Sequence, residues 1–148
     1  LQHMADQSEP FLYMPIVWYP EEVTLSEQYD LNMVAVEVIG YREDAPIMDA
    51  AYLEKLKEKG LVRLISSLTL ANPLEDVEAE FRKWGQSRMK GAVLDRNILL
   101  SGGHDDDTSI LGDPDKGWGW LVERGFNAIQ TDWTLALNLY LHEKGYNL

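Results

Sequence analysis

Within an otherwise apolar run, Met33-Val34-Ala35-Val36-Glu37-Val38-Ile39, one residue can do acid–base or metal chemistry. Side chains alternate along a strand, so Val34, Val36 and Val38 share one face and suit packing against helices, while Ala35, Glu37 and Ile39 share the other. A carboxylate on such a face must be paired, protonated or metal-bound. Glu37 is thus a candidate catalytic group and metal ligand, the alternative being an internal ion pair or hydrogen bond. Gln130 and Asp132 follow the same alternation with Ala128. They are candidate ligand contacts at a strand end, although Asp132 can equally cap a helix starting near Thr134. The run His104-Asp105-Asp106-Asp107 is rich in oxygen donors, a set suited to a hard cation. Asp105 and Asp107 are the candidate ligands. The spacing is not that of an EF-hand, and aspartates also build turns. Trp18, Trp118 and Trp120 can wall a pocket or fill a core. Trp118 begins an apolar stripe with Leu121 and Val122, which favours the core, whereas Trp18 ends a strand beside Pro20.

These residues need elements to hold them. Strand-like runs at 11–19, 33–39, 61–66 and 126–131 alternate with helical patterns. Pro20 opens a short helix ending near Tyr29. Ala45-Pro46 opens a second, with Met48, Tyr52 and Leu56 at fourfold spacing and Gly60 as its stop. Asn72-Pro73 precedes a stripe of Leu74, Val77, Phe81 and Trp84; Asp113-Pro114 starts a further helix that Gly125 ends; and a last helix occupies 134–144. Alternation of this kind predicts an α/β fold with a parallel sheet. About four βα units make half of a (β/α)8 TIM-type barrel. Half a barrel leaves two open edges and one uncovered face. The chain is therefore expected to act as a homo-oligomer or with a complementary N-terminal half-barrel.

The 148 residues carry a formal net charge of −12, which repels phosphate backbones and argues against a nucleic-acid partner. The only basic cluster, Arg82, Lys83, Arg88 and Lys90, sits beside Glu78 and Glu80 and reads as a solvated helix face. No cysteine is present, so disulfides and thiolate metal sites are excluded, and no apolar run is long enough for a membrane span. Residues 1–4 look like a cloning remnant. Residues 5–10 read as a flexible N-terminus and 11–148 as one domain.

Gly125-Phe126-Asn127-Ala128-Ile129-Gln130-Thr131-Asp132 is similar to the last strand of the glycerophosphodiester phosphodiesterase family. The stretches Gly103-His104-Asp105-Asp106-Asp107, Asp113-Pro114-Asp115, Gly117-Trp118-Gly119-Trp120-Leu121, Tyr13-Met14-Pro15-Ile16-Val17 and Val36-Glu37-Val38-Ile39 also resemble a bacterial branch of it. The likeness spans about residues 11–145 and implies the C-terminal half of a barrel that hydrolyses glycerophosphodiesters to glycerol 3-phosphate and an alcohol. It implies a divalent metal, Mg²⁺ or Ca²⁺, and a glycerophosphodiester ligand near Trp18, Ser66, Gln130 and Asp132. Several family features are absent. The His-Arg-Gly motif, the Glu-x-Asp pair and the second His have no counterpart. Leu64 and Ser66 stand where members often carry Trp and Asn, and Thr131-Asp132-Trp133-Thr134 replaces Thr-Asp-Arg-Pro. The isolated chain is therefore expected to be inactive, the alternative being a non-catalytic structural, interaction or small-molecule-binding domain of the same fold.

Overall fold

A computed structural model describes residues 12–29, 31–68 and 100–146. Residues 1–11 and the expected helix after Asn72-Pro73, with the basic cluster at 82–90, lie outside the described residues. Four strands form one sheet: β1 (Ile16–Val17), β2 (Ala35–Val38), β3 (Val62–Ser66) and β4 (Ala128–Gln130). All pairings are parallel and the spatial order is the chain order. The connections carry helices α1 (Pro20–Gln28), α2 (Ala50–Glu58) and α3 (Trp120–Arg124), and α4 (Thr134–Glu143) follows β4. The protein is thus an α/β fold on a parallel sheet.

Local chemistry sets the boundaries. β1 is much shorter than the expected 11–19. Tyr13 still bridges Met33, but Pro15 has no N–H, so it only accepts, from Glu37 N at 2.9 Å. Pro20 opens α1, where Glu22 Oε2 accepts from Trp18 N at 2.6 Å and Tyr19 N at 3.1 Å. The second helix begins later than Pro46. A 3₁₀ turn (Pro46–Met48) comes first, and Asp49 Oδ1 then caps α2 by accepting from Tyr52 N at 2.9 Å. The helix expected from Asp113-Pro114 is α-helical only over α3; two π turns (Thr108–Gly112 and Asp115–Gly119) precede it. Those turns lie so close that a Cβ on Gly117 would stand 1.9 Å from Ser109 Oγ.

The helices bury one face of the sheet. Val17, Val36, Val38 and Ile65 are fully buried there with Val23 of α1, Leu53 and Leu56 of α2, Leu121 of α3, and Phe126. Trp118 and α4's Leu137, Tyr140 and Leu141 form a second cluster, which meets the first at Ile129. The alternation predicted for β2 therefore holds at Val36 and Val38, while Val34 at the strand entry is 36% exposed. On the other face, strand register aligns Ile16, Glu37, Leu64 and Ala128 in one row across all four strands. None of these four belongs to either core cluster, and Ile16 is 58% exposed.

Candidate functional site

The C-terminal ends of the strands are where parallel α/β sheets place their ligands, because loops converge there around unpaired strand ends. At this edge the segment after Leu100 runs over the end of β3. Gly40 N donates to Leu100 O at 2.7 Å, Gly102 N donates to Gly40 O, and Asp106 N donates to Ser67 O at 2.7 Å. Gly102 has φ +68, and a Cβ there would approach the Glu43 backbone to 2.9 Å, so this crossing requires glycine.

Asp106 is the node of the edge. Its side chain is buried (2% exposed), and Oδ1 accepts from Ser67 Oγ at 2.7 Å, Thr131 Oγ1 at 2.8 Å and Trp118 Nε1 at 3.0 Å. Oδ2 accepts from Asp132 N at 3.2 Å. One carboxylate thus joins the exit of β3, the exit of β4 and the chain leading into α3, with neutral donors satisfying it. Asp106 and Ser67 are site residues that the sequence did not single out. The Asp-rich run marked the neighbourhood, but nothing in three consecutive aspartates says which one turns inward.

The expected site residues fall into groups. Ser66 and Gln130 are register partners at the last positions of β3 and β4, and Trp18 follows the last residue of β1, outside the strand. Glu37 sits one row below them. The structure therefore brings Glu37, Ser66 and Gln130 to one end of one face, with Trp18 at the exit of β1. Glu37 is half-buried, and its carboxylate makes no hydrogen bond or ion pair among the described residues, so the internal pair considered above is not formed there. Ser66 is 3% exposed, and its Oγ has no hydrogen-bond partner among the described residues. Gln130 is exposed.

Asp132 is exposed and does not cap α4. The N-cap is Trp133, whose side chain makes no capping bond and whose N–H donates to Thr131 Oγ1 at 2.9 Å. The reason is local: Thr131 closes its own tight turn first, which moves the cap one residue on. Asp105 Oδ1 accepts from Thr108 N at 2.9 Å, the turn-building role. Asp107 is exposed. Among the described residues no group of three His, Asp or Glu side chains is arranged to hold a metal ion. Glu37, Asp105 and Asp107 do not converge into one ligand set.

His104 is not part of this edge cluster. Its ring stacks on Trp120 (3.7 Å between centroids, 6° between planes), and Nδ1 contacts Lys116 O at 2.5 Å. Trp118 is core, as its stripe predicted, and its indole N–H also serves Asp106.

Residues 71–141 match the model of a family described as a domain of unknown function, DUF4996. No curated protein matches the chain. No helix among the described residues is long and apolar enough to cross a membrane.

Proposed function

We propose that this chain is one half of a (β/α)8 barrel of the glycerophosphodiester phosphodiesterase type, with its substrate-facing rim at Trp18, Glu37, Ser66, Gln130 and Asp132. The observation that carries the reading is the row Ile16, Glu37, Leu64, Ala128. Four sequential parallel strands turn their helices to one side and leave this mixed row on the other, as a barrel wall does toward its axis. The complement is a second copy or an N-terminal half-barrel. In the closed barrel Glu37 would project into the interior as the general base, and it would hold Mg²⁺ or Ca²⁺ only together with carboxylates of the complement. Asp106 locks the β3 and β4 exits that carry Ser66, Gln130 and Asp132.

Acid–base catalysis of phosphodiester cleavage needs a second proton-transferring group facing the first. His104 stacks on Trp120, away from Glu37's row, so the chain alone is proposed to be catalytically silent. The test is hydrolysis of glycerophosphocholine by the purified chain with Mg²⁺ or Ca²⁺ present. Turnover at background supports the reading. Metal-dependent turnover that disappears in Glu37→Gln contradicts the claim of silence while supporting the role of Glu37. A non-catalytic interaction domain of the same fold is the second reading. It is favoured by Trp133 and Thr134 standing where the resembled family carries Arg-Pro.

A further inference from the structure

The geometry points to a second ligand site on the helix side of the sheet, which takes a small zwitterion carrying a carboxylate and an ammonium group. This site is independent of the barrel reading. Arg124, on α3, holds its guanidinium 4.2 Å over the Trp120 ring, and the same indole stacks on His104 at 3.7 Å. The cation–π contact holds the guanidinium carbon over the indole, and none of its N–H donors is taken by a partner among the described residues.

Arg124 makes no ion pair or hydrogen bond among the described residues, although Asp and Glu outnumber Lys and Arg by 25 to 13 in the chain. Arg42, Lys57, Lys59 and Lys144 each have a carboxylate partner closer than 3 Å. A preorganised cation left unpaired in so acidic a chain is available for a ligand.

Arg124 lines an open cleft of about 870 Å³, whose lining also includes Glu43, Asp44, Asp49, Pro46 and Tyr52. Two of the three carboxylates are already engaged. Asp44 accepts both Arg42 Nε (2.8 Å) and an Arg42 terminal nitrogen (2.9 Å), and Asp49 caps α2. Among the described residues Glu43 has only His104 Nε2 near it, at 3.9 Å and beyond hydrogen-bond reach. The open charges are therefore one guanidinium and one carboxylate. A phosphate dianion would meet Glu43, Asp44 and Asp49 against a single unpaired cation. A zwitterion matches both open charges, with its carboxylate on Arg124 and its ammonium on Glu43. Pro46 and Tyr52 supply apolar wall for a hydrocarbon side chain.

The test is calorimetric titration of the whole chain with L-leucine, 4-methylpentanoate, 3-methylbutylamine and inorganic phosphate. L-leucine is expected to bind, with each single-charge analogue and phosphate weaker by roughly tenfold or more. Arg124→Gln should weaken L-leucine by about tenfold or more. Arg124→Lys should recover only part of the loss, because a point charge lacks the fork. Glu43→Gln should weaken L-leucine and leave 4-methylpentanoate unchanged. Thermal melts of each variant establish that it is folded. No binding of L-leucine at ~10 mM, phosphate binding more tightly than L-leucine, or an unchanged affinity in folded Arg124→Gln would each overturn the proposal.

Discussion

The indole N–H of Trp118 donates to the carboxylate of Asp106 at 3.0 Å, and both side chains are only 2% exposed. That bond ties a large core side chain to the polar node at the C-terminal edge of the sheet. Packing under α4 and the shape of the rim are thereby coupled through one carboxylate.

Asp106→Asn keeps the volume but places an amide N–H₂ among donors from Ser67, Thr131, Trp118 and Asp132. At least one buried donor then faces another. The expected loss is roughly 3 kcal/mol in urea unfolding, against about 1 kcal/mol for Ser67→Ala or Thr131→Val. An Asp106→Asn variant as stable as the parent would remove the node from this account.

Gly117→Ala should destabilise by about 2 kcal/mol or more, because the new methyl would stand 1.9 Å from Ser109 Oγ. That hydroxyl donates to Asp105 O at 2.9 Å and accepts from Trp118 N at 3.1 Å, so moving it disturbs the chain on both sides of Asp106. A thermal melt is sufficient, and an unchanged midpoint would mean that the two π turns are not so closely apposed.

Asp115 joins the second π turn to α4, bonding Lys144 Nζ at 2.7 Å and Tyr140 Oη at 2.8 Å. The Lys144 bond, then the Tyr140 bond, holds the Asp115 carboxyl below its ordinary 3.8, and the same contact holds Lys144 above its ordinary 10.5. Burial and the Asp115 bond also push the Tyr140 phenol up. A depressed carboxyl stabilises above its unfolded value and loses that contribution as pH falls through the folded one. A raised lysine does so below its unfolded value and loses it as pH rises. The melting-temperature difference between parent and Lys144→Met is therefore expected to be largest between pH 3.8 and 10.5, and to close on either side. Both charged groups are exposed, so salt should shrink it. A difference independent of pH would contradict the pairing.

Much of the fold could be read from residue types. The β-branched run around Val36 gave β2, and alternation placed Glu37 opposite the helix face. Pro20, Gly60 and Gly125 marked helix limits that the structure keeps. Other features depend on tertiary contacts that a single chain's pattern does not contain. Pro15 looked compatible with a long first strand, and only the neighbouring β2 makes its missing N–H decisive. The burial of Asp106, between two more exposed aspartates, follows from π-turn geometry that brings it under Trp118 and beside Ser67. Asp132 looked like a cap because its type favours one, but the Thr131 hydroxyl claims the Trp133 N–H instead. Nothing in the residue pattern around Arg124 marks an indole as its neighbour.

In the proposed half-barrel, the sheet face bearing Ile16, Glu37, Leu64 and Ala128 requires a complement. Light scattering on the purified chain across a dilution series tests it most directly. The account predicts a species larger than the 16.9 kDa chain, near twice that mass if a second copy closes the barrel. A monodisperse species at 16.9 kDa at every concentration would contradict it.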